Sequence, residues 1–233
     1  MHSSAVLLPC LAILASAADP WMNEPDTGLE TFLFSTNYTR GSLPPLKDIR
    51  GVPDFDWAAH QFLSNQQYSY YRTAAAGEWS YRNNLDVWSK VKFRPRHLND
   101  VSKLNETLAT TFLGYNFSAP IFIAPAARAG YGDPERGELN FVDVAAAENI
   151  LYSSALYASK TIEEIGAQKR KYNNTLNGPM VTFQQIYGNV NQTVTWEAIR
   201  RAEAANAKAI IFTIDAPANS VRHRAARYDT TNA

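Results

Sequence analysis

Residues 180–217 read MVTFQQIYGNVNQTVTWEAIRRAEAANAKAIIFTIDAP and contain two short apolar runs with a helix-like segment between them. The runs are Met180 to Phe183 and Ala209 to Ile214, and the segment between them extends from Thr193 to Asn206. Four residues of this segment fall on one face of a helix: Trp196, Ile199, Ala202 and Ala205. A strand, a helix and a second strand in this order predict a βαβ unit with parallel strands.

The same alternation occupies the preceding residues. Apolar runs lie at Ile121 to Ala124 and at Ile150 to Ser153, and helix-like stretches follow them at Glu138 to Asn149 and at Thr161 to Lys171. The apolar runs recur about every 30 residues, which indicates a repeated strand–helix unit. Such units predict an α/β protein, and they either close into an eight-stranded barrel or form an open doubly wound sheet.

The glycines after the first run bear on this choice. Gly130 and Gly132 form a G-x-G, but Asp133, Pro134 and Glu135 follow, so the dinucleotide-binding fingerprint of an open sheet is not completed. A barrel needs no such motif and holds its active site at the C-terminal ends of its strands. The four strand ends carry small or polar residues: APAA at 124–127, SSA at 153–155, QQIY at 184–187 and TIDAP at 213–217.

The composition excludes several classes of function. The 233 residues include 22 Lys+Arg and 22 Asp+Glu, and 45% are hydrophobic, which is typical of a globular domain. Without a basic surplus we expect no nucleic-acid partner, and without an apolar run of about 18 residues we expect no membrane span. The single cysteine, Cys10, lies in the predicted signal peptide, so we expect neither a disulfide nor a cysteine-ligated metal.

The N-terminus and the sequons predict a secreted glycoprotein. Residues 1–17 read as a signal peptide because the apolar stretch Ala5 to Leu14 precedes a run of small residues, with cleavage after Ala17 or Ala18. Five N-x-[ST] sequons predict glycosylation of Asn37, Asn105, Asn116, Asn173 and Asn191.

The chain therefore divides into four predicted segments. Residues 1–17 are the signal peptide, and residues 18–53 form an N-terminal arm with too little periodicity to predict helix or strand. Residues 54–118 are a helical segment of several short helices with the lead-in to the barrel. Residues 119–233 are the first half of the barrel.

Several motifs in a consistent order carry a resemblance to a known family. They are Tyr70-Tyr71, Gly77-Glu78-Trp79, Phe93-Arg94-Pro95-Arg96-His97-Leu98 with Asp100-Val101-Ser102, Pro120-Ile121-Phe122-Ile123-Ala124-Pro125, Phe183-Gln184-Gln185-Ile186-Tyr187 and Thr213-Ile214-Asp215-Ala216-Pro217. Over roughly residues 54–224 the chain resembles the FMN-dependent 2-hydroxy acid dehydrogenase/oxidase family, which includes glycolate oxidase, lactate oxidase and the flavin domain of flavocytochrome b2.

The resemblance implies a fold and a reaction. The fold is a (β/α)8 TIM barrel of the FMN-dependent type, represented here by about its first four βα units and preceded by short N-terminal helices. The reaction is the oxidation of a small L-2-hydroxy acid to the 2-keto acid. A homo-oligomer is possible for a full-length form.

The resemblance also implies which residues bind FMN. The backbone of Pro125, Ala126 and Ala127 matches the segment against which the flavin ring lies, and their short side chains suit that approach. Gln185 and Thr213 match positions that hydrogen-bond the polar edge of the flavin.

Two positions depart from the family pattern. A gapless alignment places Ala155 at the family's flavin-contacting serine, although Ser153 or Ser154 could serve after a small shift, and we assign Ser154. The family segment His-Pro-x-Gly-Glu is one residue longer here, as residues 133–138.

The substrate-binding and catalytic residues follow from the same resemblance. Tyr70 and Tyr187 match the two tyrosines that contact the substrate, and Arg222 matches an arginine that holds its carboxylate, although Arg224 and Arg227 lie close by. Asp215 matches the aspartate that orients the catalytic histidine and stabilises its imidazolium.

That histidine should follow later in the chain, and His223 lacks the family motif around it, so we expect the 233 residues alone to be an inactive fragment. The alternatives are a secreted non-catalytic glycoprotein that keeps half of the fold and a secreted barrel glycosidase. The glycosidase is disfavoured because Asp215 is the one well-placed carboxylate of the two that its chemistry needs.

Overall fold

A computed structural model describes residues 27–103, 108–173, 179–215 and 220–228, so the predicted signal peptide lies outside the described residues. The helices are α1 (Leu29–Phe34), α2 (Val52–Phe62), α3 (Asn65–Arg72), α4 (Trp79–Asp86), α5 (Leu139–Ala147), α6 (Ile162–Arg170) and α7 (Gln192–Ala204). The strands are β1 (Thr110–Phe112), β2 (Tyr115–Phe117), β3 (Phe122–Ile123), β4 (Leu151–Ser154), β5 (Thr182–Tyr187) and β6 (Ala209–Thr213). None of the helices in these ranges combines the length and apolar composition that a membrane crossing requires.

The chain forms two compact units. The first contains the described residues up to Phe62 together with Gly77–Lys92, and the second contains Leu63–Ala76 and the residues from Phe93 onward. Helices α1, α2 and α4 belong to the first unit, whereas α3, α5, α6, α7 and all six strands belong to the second.

The first unit has a helix where the arm was expected to be irregular. Helix α1 buries Leu29 and Leu33, which lie one turn apart on the same face. Asp54 then holds the start of α2, because its carboxylate accepts hydrogen bonds from the Thr27 hydroxyl and from the backbone N–H of Arg50 (2.7 Å) and Gly51 (3.1 Å). These hydrogen bonds lower the pKa of Asp54.

The second unit contains the predicted parallel sheet. Strands β3, β4, β5 and β6 are adjacent in that order and all parallel, with α5, α6 and α7 in the connections. An antiparallel hairpin, β1–β2, precedes them. The prediction of repeated parallel βα units is therefore confirmed.

The strand boundaries differ from the apolar runs. Strand β5 continues past Phe183 to Tyr187, because Gln184, Gln185 and Ile186 pair in register with β6. Strand β3 contains only Phe122 and Ile123. A strand can thus extend into buried polar residues beyond its apolar run when their backbone groups pair with the neighbouring strand and their side chains also form hydrogen bonds.

The sheet separates two clusters of buried side chains. On the side that we call the helix face, Tyr152 packs with Val142 and Ala145 of α5 and with Ile165 of α6. On the opposite side, the inner face, Leu151 and Phe183 pack with Phe117 of the hairpin. Because successive side chains of a strand alternate between faces, Gln185 and Tyr187 lie on the inner face with Phe183.

Helices α6 and α7 begin and pack for identifiable reasons. Thr161 and Glu164 form a reciprocal capping box at the start of α6. Of the residues on the predicted face of α7, Ala202 is completely buried whereas Trp196 is 57% exposed. A Cβ atom on Gly166 would lie 2.8 Å from Cβ of Ala205, which shows that α6 and the end of α7 are in close contact.

Candidate active site

Gln185 and Thr213 meet on the inner face, at the C-terminal ends of β5 and β6. Gln185 is 5% exposed, and its Nε2 donates to Oγ1 of Thr213 at 2.8 Å. Its Oε1 accepts from the backbone N–H of Leu156 at 3.0 Å, in the loop after β4. These two bonds fix the orientation of the amide and leave the Thr213 hydroxyl proton and the second amide proton available to a ligand.

The loop after β3 presents small residues. Ala124 and Ala126 are exposed, whereas Pro125 and Ala127 are half-buried. The hydroxyl of Tyr71 donates to the carbonyls of Ala127 (3.1 Å) and Arg128 (2.7 Å). The loop is therefore held from the side of α3 while its alanines leave the backbone open to a flat ligand.

A buried carboxylate, which our sequence analysis did not single out, fastens the next part of the same loop. Glu138 has no exposed surface, and its Oε1 accepts from the backbone N–H of Ala129 (2.9 Å) and Ser159 (2.8 Å). Its Oε2 accepts from the N–H of Lys160 at 3.0 Å. Glu138 ends residues 133–138, which correspond to the family segment His-Pro-x-Gly-Glu. This correspondence is the feature of the sequence that could have pointed to Glu138.

Tyr70 lies in a cluster of aromatic rings with a cation over it. Its ring centroid is 5.2 Å from that of Tyr71 and 5.8 Å from that of Tyr131, both with edge-to-face geometry. The guanidinium of Arg128 lies 4.8 Å above the Tyr70 ring and 5.6 Å from the Tyr131 ring. Arg128 and Tyr131 were not predicted, because nothing in their spacing distinguishes them from surface residues.

The hydroxyl of Tyr71 remains a donor over a wide pH range. Burial, together with the neighbouring Tyr70 and Glu138, raises the pKa of Tyr71 to about 12. The hydrogen bonds from Tyr71 to the loop after β3 therefore persist throughout the physiological range.

Tyr187 ends β5 directly opposite Thr213 of β6. Its ring stacks on that of Tyr157 with a centroid distance of 5.7 Å and an interplanar angle of 23°. Tyr157 is 62% exposed, so the pair forms an aromatic surface beside the Gln185–Thr213 pair.

Arg222 and Asp215 are both exposed. The backbone N–H of Ala76 donates to the carbonyl of Val221 at 2.7 Å, which brings the segment with Arg222 beside the loop that follows α3, the helix of Tyr70. Asp215 lies two residues beyond the end of β6 and makes no hydrogen bond or ion pair within the part of the chain that the structure describes.

Ser154 does not join this group of residues. Its hydroxyl donates to Oε1 of Gln184 at 2.5 Å, on the helix face of the sheet. Ser153 and Ala155 occupy the inner-face positions, and the buried Ser153 hydroxyl has no partner among the described residues. The Ser154 hydroxyl thus faces away from Gln185 and Tyr187, and a shift of one residue along the strand reverses the face on which a side chain lies. The assignment of Ser154 to the cofactor stays a prediction.

Four of the predicted glycosylation sites lie on exposed residues: Asn37, Asn116, Asn173 and Asn191. Asn105 lies outside the described residues. Among the described residues, no group of three or more His, Cys, Asp or Glu side chains could hold a metal ion.

Comparisons with known proteins agree with this geometry. The model of the FMN-dependent dehydrogenase family matches residues 59–232. Glycolate oxidase 3 of Oryza sativa subsp. indica is 34% identical over 169 residues, which cover 72% of this chain and 43% of that protein. Glycolate oxidase 1 of Zea mays is 35% identical over 170 residues, which cover 73% of this chain and 43% of that protein.

A structural comparison gives the same result. The flavin-binding domain of baker's yeast flavocytochrome b2 superposes with a TM-score of 0.69 and 25% sequence identity, over 85% of this chain and 47% of that chain. This chain thus spans less than half the length of the relatives that it matches. Its four parallel strands correspond to part of a TIM barrel, and the chain belongs to the FMN-dependent dehydrogenase family.

Proposed function

We propose that this chain forms the first half of an FMN-dependent oxidase of small L-2-hydroxy acids. The observation that carries the proposal is the Gln185–Thr213 pair on the inner face, in which two hydrogen bonds orient the buried amide of Gln185 and leave one amide proton and the Thr213 hydroxyl proton available to a ligand. The membership in the family and the similarity to the glycolate oxidases support the choice of cofactor and substrate.

The residues of the site fit an isoalloxazine ring. Such a ring is flat and carries polar atoms along one edge, so it needs an open backbone surface and oriented hydrogen-bond partners. The segment Pro125–Ala127 would provide the surface, and Gln185 with Thr213 would provide the partners. When bound, FMN supplies the acceptor for the electron pair of the substrate.

The chain's own residues would bind and orient the acid. Arg222 can hold the carboxylate through a bidentate pair, and the hydroxyls of Tyr70 and Tyr187 can donate to its oxygens. Arg128 adds positive charge over the Tyr70 ring, which favours an anionic ligand beside it. Tyr157, stacked on Tyr187, would offer an aromatic surface to the substrate side chain.

The proton acceptor of the reaction would come from the other half of the barrel. In the complete protein a histidine would remove the hydroxyl proton, or the α-proton if a carbanion forms, and Asp215 would orient it and stabilise its imidazolium. The exposed carboxylate of Asp215 is compatible with a partner contributed by further chain.

We also propose that the protein is exported and glycosylated. The signal-like residues 1–17 and the exposed positions of Asn37, Asn116, Asn173 and Asn191 support this. Enzymatic deglycosylation of the secreted protein should lower its mass and leave aspartate at the modified sites in peptide maps.

A titration of FMN fluorescence tests the cofactor site, and neighbouring glutamines provide a matched pair of variants. Gln185→Met should weaken FMN binding about tenfold or more, because it removes a hydrogen-bonding amide from the inner face. Gln184→Met removes an equally buried amide from the helix face and should change FMN affinity less than about threefold, whatever it does to stability. Equal losses in the two variants would count against the proposed site.

A second measurement tests the reaction. Anaerobic addition of an L-2-hydroxy acid to the full-length, FMN-loaded protein should bleach the flavin absorbance. A flavin that stays oxidised with all such acids would leave the alternative function, a non-catalytic glycoprotein that keeps half of the fold.

A further inference from the structure

Two loops at the C-terminal edge of the sheet meet at the carboxylate of Glu138. The first loop, residues 124–138, follows β3, and the second loop, residues 155–161, follows β4. Glu138 accepts one N–H from the first loop, at Ala129, and two from the second, at Ser159 and Lys160. All three acceptor distances lie between 2.8 and 3.0 Å.

The loops also contact each other beside this carboxylate. The N–H of Gly130 donates to Oγ of Ser159 at 2.9 Å. A Cβ atom on Gly130 would lie 2.8 Å from the same oxygen, so the space between the loops admits no further side-chain atom. The spacing of the two loops at this point is therefore narrowly determined.

This contact connects the two sides of the candidate cofactor site. The first loop contains Pro125–Ala127, and its backbone at Ala129 is bound to Glu138. The second loop reaches Gln185 through the hydrogen bond from the Leu156 N–H. Hydrogen bonds and two short stretches of backbone thus connect the small-residue segment to the Gln185–Thr213 pair, with Glu138 in the middle.

We propose that Glu138 is a positioning residue of the cofactor site, one that sets the distance between Pro125–Ala127 and Gln185 without touching the cofactor. The proposal rests on the proposed binding of FMN for its functional consequence. Its structural content, that Glu138 holds the two loops together, can be tested on the protein without FMN.

The chemistry of a carboxylate explains the choice of residue. Two carboxylate oxygens can accept three N–H groups, whereas a glutamine of the same shape has one oxygen and an NH2 group that would face at least one of these donors. A buried N–H that loses its acceptor is costly, so a loop would move to recover a partner from water.

The test compares Glu138→Gln with Asp143→Asn. Asp143, an acid on α5, also accepts side-chain hydrogen bonds, from Gln168 (2.5 Å), Tyr172 (2.8 Å) and Arg136, but none of these bonds reaches residues 124–132 or 155–161. In Glu138→Gln, amide hydrogen exchange should accelerate about tenfold in residues 124–132 and 156–161, with β4 and β5 unchanged. In Asp143→Asn, residues 124–132 and 156–161 should exchange at the wild-type rate.

FMN affinity gives the second readout. Glu138→Gln should raise the Kd for FMN about tenfold. Asp143→Asn should raise this Kd less, even where the two variants lower the melting temperature equally. Gly130→Ala is the independent variant, because its added methyl pushes the same loops apart while Glu138 is retained, and it should show the same exchange pattern and weakened FMN binding.

The outcomes separate the two proposals. Wild-type exchange rates in both loops of Glu138→Gln, or equal FMN losses in Glu138→Gln and Asp143→Asn, would overturn the role of Glu138. If the wild-type protein fails to bind FMN, the proposed function fails, and the exchange measurement on the free protein still decides whether Glu138 holds the loops. If Glu138→Gln does not fold, the exchange pattern of Gly130→Ala decides instead.

Discussion

The side-chain amine of Lys169 is buried, which is unusual for a lysine. The residue is 1% exposed, and its Nζ donates to the carbonyl of Asn206 at 2.5 Å without an ion pair among the described residues. Burial, with a smaller effect of Lys208, lowers the pKa of Lys169 from 10.5 to about 8. The amine therefore loses its proton in the folded state at a lower pH than in the unfolded chain.

This difference predicts a pH dependence of stability. Between about pH 8 and pH 10.5 the unfolded chain binds more protons at Lys169 than the folded protein, so the free energy of unfolding should rise with pH. We expect a gain of about 1–2 kcal/mol between pH 8 and pH 9.5, measured by urea denaturation. The raised pKa of Tyr71 acts in the opposite direction above pH 10, which sets the upper limit of the window.

Lys169→Met provides the control for this prediction. The variant has no amine to titrate, so the slope of stability against pH should largely disappear between pH 8 and 9.5, whatever its stability at neutral pH. An unchanged slope would assign the dependence to another group.

Single residues of the site differ in how far the sequence could predict them. Gln185 and Thr213 were predicted through the family resemblance, because they match its flavin-binding positions and lie at strand ends that carry small or polar residues. The orientation of Ser154 toward the helix face could not be predicted, because the face of a strand residue depends on a register that the sequence does not show. Glu138 was missed because its partners are backbone N–H groups 9, 21 and 22 residues away, which no local pattern reveals.

At the scale of helices and strands, the close contact between α6 and the end of α7 predicts that position 166 requires glycine. Gly166→Ala would increase the intrinsic helix propensity of α6, yet the new methyl group would lie 2.8 Å from Cβ of Ala205. We expect a net loss of about 1–3 kcal/mol in the free energy of unfolding, because close contact outweighs propensity.

A compensating variant checks this explanation. Ala205→Gly removes the nearest atom that the Gly166→Ala methyl would meet but leaves Cα and the carbonyl oxygen of Ala205 at 3.2 Å, so the double variant should recover part of the stability lost by Gly166→Ala in a double-mutant cycle. Independent, additive losses would show that the contact between the two helices is not the cause.

The helices and strands were predictable where their periodicity was strong. The four parallel strands and the helices α5, α6 and α7 follow from short apolar runs that alternate with helical spacing. Helix α1 was missed because it has only 6 residues and two buried leucines among exposed neighbours. The spacing in α7 places Trp196 and Ala202 on one face but does not show which of them is buried, and the structure buries Ala202 and leaves Trp196 exposed.

At the scale of the whole molecule, strand β6 of the second unit pairs with β5 and with no other strand among the described residues. Strand β6 is the last of the four, and Ile210 (38%), Phe212 (52%) and Ile214 (83%) at or just beyond it are exposed. Apolar residues beside an unpaired edge favour association with further chain, and the relatives are more than twice as long as the aligned region.

We therefore predict that the native protein continues the barrel. Intact mass measurement of the secreted, deglycosylated protein should give a value clearly above 26.0 kDa, the mass of the 233 residues. Peptide mapping should find peptides from chain beyond the 233 residues. Their sequence should predict further βα units and contain the catalytic histidine. A mass at or below 26.0 kDa would favour the non-catalytic alternative.

Asn191, the residue before α7, caps the helix and is also a predicted glycosylation site. The Oδ1 atom of Asn191 accepts the N–H of Thr193 at 3.1 Å and caps the helix, while Nδ2 of the same amide is the atom to which a sugar would be attached. The usual way to delete a sequon, Asn191→Gln, would therefore also disturb the cap. Poor secretion of that variant could then be mistaken for an effect of the missing sugar. Asn191→Asp keeps an acceptor oxygen at the same distance along the side chain and cannot be glycosylated, so it separates the two effects.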